Sequence, residues 1–151
     1  MDEGFSLGLV VALIGGALFA VVTAFEGYMS KNVGAVNASL LEHTWAGVIS
    51  IIVLTWVVFS GKIDISVVKN IWPAVVGGGT VILVGVAAIA YAIPRTGLAV
   101  GNFAIVLAQI LVAVVIDAIG VGGYERIPVS LPRIFGLLLM AAGLFVIIPR
   151  N

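Results

Sequence analysis

The stretch that decides the fold is SLGLVVALIGGALFAVVTAF, residues 6–25, which runs for 20 positions without a charged side chain. A helix that crosses a bilayer needs about 20 apolar residues, because the hydrocarbon core is about 30 Å thick and each residue rises about 1.5 Å. Acidic residues precede the stretch and no small-residue cleavage site follows it, which is unlike a signal peptide. We therefore expect a retained transmembrane helix here.

Four more apolar stretches follow along the chain of 151 residues, which is 62% hydrophobic and only 9% charged, with a mean hydropathy of +1.30. A soluble domain carries roughly 25% charged residues, because its surface must face water. The stretches do not alternate polar and apolar residues as barrel strands do. The pattern predicts an all-α membrane protein that forms one domain over residues 1–151. Its five transmembrane helices are expected at about residues 6–29, 38–59, 72–93, 97–118 and 132–149.

The connections between these helices are predicted to be short. Asn and Gly residues between positions 30 and 37 favour a loop, and a modestly polar linker covers residues 60–70. Pro94, Arg95 and Thr96 predict a tight turn between the third and fourth helices.

Composition also excludes several classes of function. The formal net charge is zero, which gives no reason to expect a nucleic-acid partner, and the chain has no cysteine and one histidine. Neither a metal-binding cluster, nor a cofactor motif, nor a nucleophile with its base is evident. We expect no cofactor and no enzymatic activity.

The distribution of positive charge bears on orientation, because the Lys/Arg bias of short loops sets topology. Four basic residues fall on the side of the N-terminus and three on the other side, so the bias is nearly absent. The first set is Lys62, Lys69, Arg126 and Arg133, and the second is Lys31, Arg95 and Arg150. Two hypotheses follow. Either all copies of the chain insert in one orientation, which the loop charges signal only weakly, or copies insert in both orientations (dual topology) and pair antiparallel. An inverted homologous chain could also serve as the partner, as in transporters built from inverted repeats.

Polar residues at membrane depth are the candidates for function, because an unpaired polar group in hydrocarbon is costly. Gln109 lies close to the middle of helix four, and Asn102 lies seven positions earlier on the same face. Both amides could line a substrate pathway, or could equally bond one helix to another.

A second group of polar residues lies at the end of helix one, where Thr23, Glu26 and Ser30 share a face. His43 starts helix two beside Glu42 on the same side of the membrane. These residues are either solvated at the interface or part of a gate or proton-responsive vestibule.

Two charged residues are predicted to be structural. Asp117 ends helix four, where the helix dipole disfavours a negative charge, so pairing with Arg126 or Arg133 is expected. Arg95 lies in the predicted turn.

The order and spacing of several residues resemble the five-helix YdcZ type (family of unknown function 606) of the drug/metabolite transporter superfamily, over nearly the whole length. The matching residues are Trp72, Gly78, Pro94-Arg95-Thr96-Gly97, Gln109, Asp117, Gly120, Arg133, Gly136 and Gly143. Members typically end helix one with a Gln and, four residues on, an Asn. Glu26 and Ser30 stand there instead, which is a departure from the pattern.

The resemblance implies that the chain is a free-standing half of an inverted-repeat transporter in the cell (inner) membrane, paired as an antiparallel homodimer or with an inverted homologue. Such a subunit would export or import a small metabolite or drug-like solute by alternating access. The alternative is a non-transporting assembly or scaffold subunit whose polar residues only bond helices.

Overall fold

The computed structural model describes residues 3–63, 65–120 and 125–149. All regular structure in these ranges is helical, and the helices run in sequence order. They are α1 (Glu3–Val33), α2 (Ala35–Phe59), α3 (Ile65–Thr96), α4 (Leu98–Ile119) and α5 (Leu131–Ile147). The all-α fold with five helices predicted from hydropathy is confirmed.

Four of the helices, α1 to α4, are long and apolar enough to cross a membrane. The fifth helix is equally apolar, but its 17 residues stand at the lower limit for a span. Large apolar side chains are exposed along every helix, for example Leu13 on α1, Ile51 on α2, Val84 on α3, Val112 on α4 and Leu138 on α5. Such surfaces suit lipid, and the chain is a membrane protein.

Single glycines separate two pairs of helices where longer connections were expected. Gly34 has φ 85° and ψ 155° and Gly97 has φ 81° and ψ 155°, a conformation that only glycine adopts readily. The predicted loop over residues 30–37 is wrong, because α1 continues to Val33 and α2 begins at Ala35. The predicted turn at residues 94–96 is also wrong, because those residues complete α3.

Helix α3 begins at Ile65, earlier than the position 72 expected from apolar content alone, and so takes up half of the predicted polar linker. Lys69 and Asn70 are exposed on this first part of the helix. A helix extends beyond the hydrocarbon core where its polar residues reach water, and a search for apolar stretches misses that extension. Arg150, used in the charge count, lies outside the described residues.

The chain divides into two compact units, one ending at Arg95 and the other starting at Thr96. In the first unit, α1 meets α3 at Gly27, where an added Cβ would lie 2.8 Å from Cγ2 of Ile93. The Ser39 hydroxyl of α2 donates a 3.4 Å hydrogen bond to the Leu83 carbonyl of α3. These two contacts fix α3 against the hairpin of α1 and α2.

The second unit packs α5 on α4. An added Cβ at Gly143 of α5 would lie 3.2 Å from Cζ of Phe103 on α4. The absence of a side chain at Gly143 therefore leaves room for the aromatic ring. Gly120 ends α4 in a left-handed conformation with φ 70°. The segment before α5 is held to the end of α4 by a 2.9 Å hydrogen bond from the Ile127 amide to the Asp117 carbonyl.

The close approach of α1 and α3 at Gly27 yields a stability prediction. Replacement of Gly27 by Ala should destabilise the folded protein by about 1–3 kcal/mol, because the new methyl group overlaps the Ile93 side chain. Thermal unfolding in detergent measures the effect. Gly16→Ala on the same helix is the matched control, because nothing lies within 4 Å of that position. Equal unfolding temperatures for both variants would contradict the contact.

Candidate functional site

The most buried polar feature of the first unit is a pair of carboxyl groups, Glu26 on α1 and Glu42 on α2, which we call the acid pair. The two carboxyl groups lie near each other. Glu26 stands eight residues before Gly34 and Glu42 stands eight residues after it. Because α1 and α2 turn back on each other through this single residue, the equal spacing places both carboxyl groups at one level of the hairpin.

The surroundings of Glu26 are closed. Glu26 is 1% exposed, Thr23 is 0% exposed and Ser39 is 1% exposed, and these are the largest fully buried side chains among the described residues. Ala38 and Ala90 are also fully buried. The interior of this unit therefore consists of small residues, polar groups and Ile93, whereas most of its large apolar residues face outward.

Hydrogen bonds hold the polar neighbours of the acid pair. The Thr23 hydroxyl donates to the Ala20 carbonyl at 2.9 Å, one turn back along α1. Nδ1 of His43 lies 2.8 Å from the Ser39 carbonyl oxygen, which can only accept, so this nitrogen carries the proton. The His43 ring is thus anchored to its own helix, one residue away from Glu42.

The carboxyl oxygens themselves are less well satisfied. Oε1 of Glu26 and Oε2 of Glu42 are buried and have no hydrogen-bond partner among the described residues. Within those residues, neither carboxyl group pairs with a lysine or arginine. Acceptors that are buried without donors favour a positively charged ligand. The described residues contain no group of three or more metal-binding side chains.

Ser30, one turn beyond Glu26, is half-buried and lies apart from the acid pair in a cleft of about 350 Å³. The cleft is also lined by Lys31, Tyr91 and Arg95. The Arg95 guanidinium donates a 2.6 Å hydrogen bond to the Tyr91 carbonyl and lies 3.5 Å from the centre of the Tyr91 ring. Its contacts are thus within α3, in the manner of a structural residue.

The two amides of α4 differ in their surroundings. The Asn102 side chain is half-buried and donates a 2.8 Å hydrogen bond to the Leu98 carbonyl of its own helix. Gln109 is exposed in an otherwise apolar surface hollow that Ala108, Val112 and Ile116 also line. A side chain at this position faces lipid or another protein.

Asp117 forms an ion pair with Arg133, one of the two partners expected for it, with Oδ2 and an arginine Nη 3.3 Å apart. Arg126 instead donates from Nε to the Ala118 carbonyl at 2.9 Å. The ion pair lies at one end of a cleft of about 520 Å³ between α4 and α5, which is lined mainly by apolar residues such as Leu137 and Met140. The pair links the end of α4 to the start of α5.

Sequence reasoning grouped Thr23, Glu26 and His43 but missed Glu42 as the direct partner of Glu26, and missed Ser39. The signal that identifies Glu42 is its spacing from Gly34, which matches that of Glu26. This signal is visible only once Gly34 is recognised as the whole connection rather than part of a loop.

Comparison with models of protein families gives a match over most of the chain. The model of the family described as "Putative inner membrane exporter, YdcZ" matches residues 7–146. No curated protein and no solved structure matches the chain.

The ion pair between α4 and α5 yields a prediction. A double-mutant cycle of Asp117→Asn and Arg133→Gln should give a coupling of about 0.5–1 kcal/mol, because both side chains are about one-third exposed (31% and 33%) and are screened. Thermal unfolding in detergent at low and high salt measures it, and the coupling should shrink with salt.

The matched control for this cycle is Arg126→Gln, which removes a cation that bonds to a backbone carbonyl. Its effect on the free energy of unfolding should simply add to the effect of Asp117→Asn, with no coupling between the two. Additive behaviour of Asp117→Asn with Arg133→Gln as well would contradict the ion pair.

Proposed function

Because the chain belongs to the YdcZ family of inner membrane exporters, we propose that it is one subunit of a small secondary transporter that works by alternating access. The protein is a multi-pass protein of the inner membrane. The proposed cargo is a small metabolite or drug-like solute. The proposed assembly is an antiparallel homodimer or a pair with an inverted homologous chain.

The observation that carries the proposal is the polar interior of the first unit. In a bundle that only anchors other proteins, interior positions are best filled by apolar or small residues, since a buried carboxyl group is costly. Here Glu26 is almost completely buried, although a residue one position away, Phe25, is 62% exposed. An ionisable residue held inside a membrane protein is typical of a substrate or ion pathway.

Pairing of two chains is supported by Gln109. Eleven residues of α4 precede it and ten follow it, so it stands at the middle of a 22-residue helix. The depth of a mid-helix residue does not change when the chain is inverted. Two antiparallel copies could therefore place both amides at the same depth, where each can donate to and accept from the other.

A scaffold role is the second candidate, and other polar residues favour it. Asn102 bonds to its own helix and Asp117 bonds to Arg133, which are contacts that stabilise helices without needing a solute. The two roles differ in solute flux. A transporter variant can insert and assemble normally and still lose its flux, whereas a scaffold subunit has no flux to lose.

Gln109→Leu should abolish flux while leaving insertion intact, because it removes the amide that is placed deepest in the membrane and replaces it with an apolar side chain of similar size. Proteoliposome uptake or efflux against a panel of metabolites and drug-like solutes measures the flux. Thr55→Val is the matched control, because its exposed hydroxyl bonds only to the Ile51 carbonyl of its own helix. Normal flux in the Gln109 variant would count against this residue.

Dual insertion predicts that reporters fused to the C-terminus are active on both sides of the membrane, because the basic residues are nearly balanced between the two sides. A pair of reporters that work only in the cytoplasm or only outside it measures the distribution. Activity on a single side would overturn the homodimeric version and leave the inverted partner chain.

A further inference from the structure

The cleft beside Ser30, which we call the basic cleft, carries two positive charges from different helices. Its volume is about 350 Å³, and Lys31, Tyr91 and Arg95 line it with Ser30. Lys31 lies in the last turn of α1 and Arg95 in the last turn of α3. The close approach of Gly27 to Ile93 holds these two helix ends side by side. All of these residues belong to the first unit.

Neither positive charge is neutralised by the part of the chain that the structure describes. Lys31 forms no hydrogen bond or ion pair with any described residue. Arg95 donates one hydrogen bond to the Tyr91 carbonyl, and its guanidinium lies over the Tyr91 ring. A guanidinium has several N–H groups, so most of these donors remain for a ligand. The stacking holds the planar group in place, which lowers the entropic cost of binding.

The lining of the basic cleft determines the charge of a suitable ligand. It contains the two cations and no carboxylate. Glu26, one turn before Ser30 on α1, is buried within the unit and is not part of the lining. An ammonium group in the cleft would therefore be repelled, whereas an anion would be attracted. Arginine and lysine together suit phosphate, because the guanidinium can bind two phosphate oxygens and the ammonium acts as a point charge.

The depth of the basic cleft indicates which phosphate is available to it. The charge-free stretch 6–25 is long enough to cross the hydrocarbon core, and Lys31 lies six residues beyond its end. That spacing corresponds to about 9 Å along the helix, which is the level of the lipid headgroups. Tyr28 and Tyr91, one turn before the two cations, are exposed as is typical of residues at this level.

We propose that the basic cleft binds the phosphate of an anionic phospholipid, with Lys31 and Arg95 as the two cationic ligands. The bound phosphate bridges α1 and α3 and so stabilises the first unit. Phosphatidylglycerol presents a phosphate without an amine, whereas phosphatidylethanolamine also brings an ammonium group beside the two cations. The site therefore selects the anionic lipid. It does so whether or not the chain carries a solute.

Native mass spectrometry of the full chain in mild detergent measures the affinity of each lipid. One molecule of phosphatidylglycerol should bind more tightly than phosphatidylethanolamine. Lys31→Gln and Arg95→Gln should each weaken the binding of phosphatidylglycerol about fivefold, the factor that corresponds to about 1 kcal/mol for each cation at an anionic lipid surface. Equal affinities for the two lipids, or unchanged affinity in Lys31→Gln, would overturn the proposal.

Two control variants separate the basic cleft from the general surface charge. Lys69→Gln removes an exposed cation near the start of α3, far along the helix from Arg95, and should leave the affinity for phosphatidylglycerol unchanged. Arg95→Lys keeps the charge without the planar group and should weaken binding less than Arg95→Gln. An equal loss of affinity in Lys69→Gln would overturn the cleft as the site. Lys31→Gln breaks no bond to a described residue, so it remains a valid test even if Arg95→Gln fails to fold.

A soluble phosphate has the same chemistry as the lipid headgroup, and thermal unfolding in detergent distinguishes the two sources. Phosphatidylglycerol should raise the unfolding temperature of the chain, because a ligand that binds only the folded state stabilises it. This rise should be smaller in Lys31→Gln. Inorganic phosphate and glycerol 1-phosphate should cause no rise beyond that of sodium chloride at equal ionic strength. A rise with either soluble phosphate that is lost in Lys31→Gln would overturn the lipid as the ligand.

Discussion

Lipid tails offer no hydrogen bonds, so polar side chains within membrane-spanning helices must find partners inside the protein or bond to their own helix. Both solutions are present here. Thr44, Thr55 and Thr80 are exposed, and each returns its hydroxyl to the carbonyl four residues earlier. Thr23, Glu26 and Ser39 are instead turned inward, and the carboxyl group is the one that cannot be satisfied by its own helix.

The way Glu26 meets its partner depends on one backbone conformation. Gly34 joins α1 to α2 without any further loop residue, and on both sides of it the helical hydrogen bonds continue, to Ser30 and from Ala38. A connection this short leaves the hairpin little freedom to slide. Residues at equal distances from Gly34 are therefore held level, and a carboxyl group on α1 must face a carboxyl group on α2. The tightness of the turn and the chemistry of the acid pair are thus parts of a single arrangement.

Much of the architecture follows from the sequence because hydropathy responds directly to the bilayer. Five apolar stretches predict five helices, and the order of Trp72, Gln109 and Asp117 predicts the family. The helix ends are harder to predict, because Gly34 and Gly97 each separate two helices alone, in a conformation that composition does not reveal. The solute pathway stays a prediction. Its expected residues are Gln109, Asn102, Thr23, Glu26, Ser30 and His43. The partner of Glu26 could not be predicted, since it depends on the register of two helices rather than on either one.

Glu26 faces the protein interior, whereas Phe25 and Tyr28 on the same helix face outward. The chain has no cysteine, so spin labels can be placed singly at Thr23, Phe25, Glu26 and Tyr28 without removing any native thiol. Electron paramagnetic resonance in liposomes then measures the collision rate of each label with dissolved oxygen, which concentrates in lipid. The account predicts high rates at Phe25 and Tyr28, which are 62% and 70% exposed, and low rates at Thr23 and Glu26. A rate at Glu26 equal to that at Phe25 would contradict it.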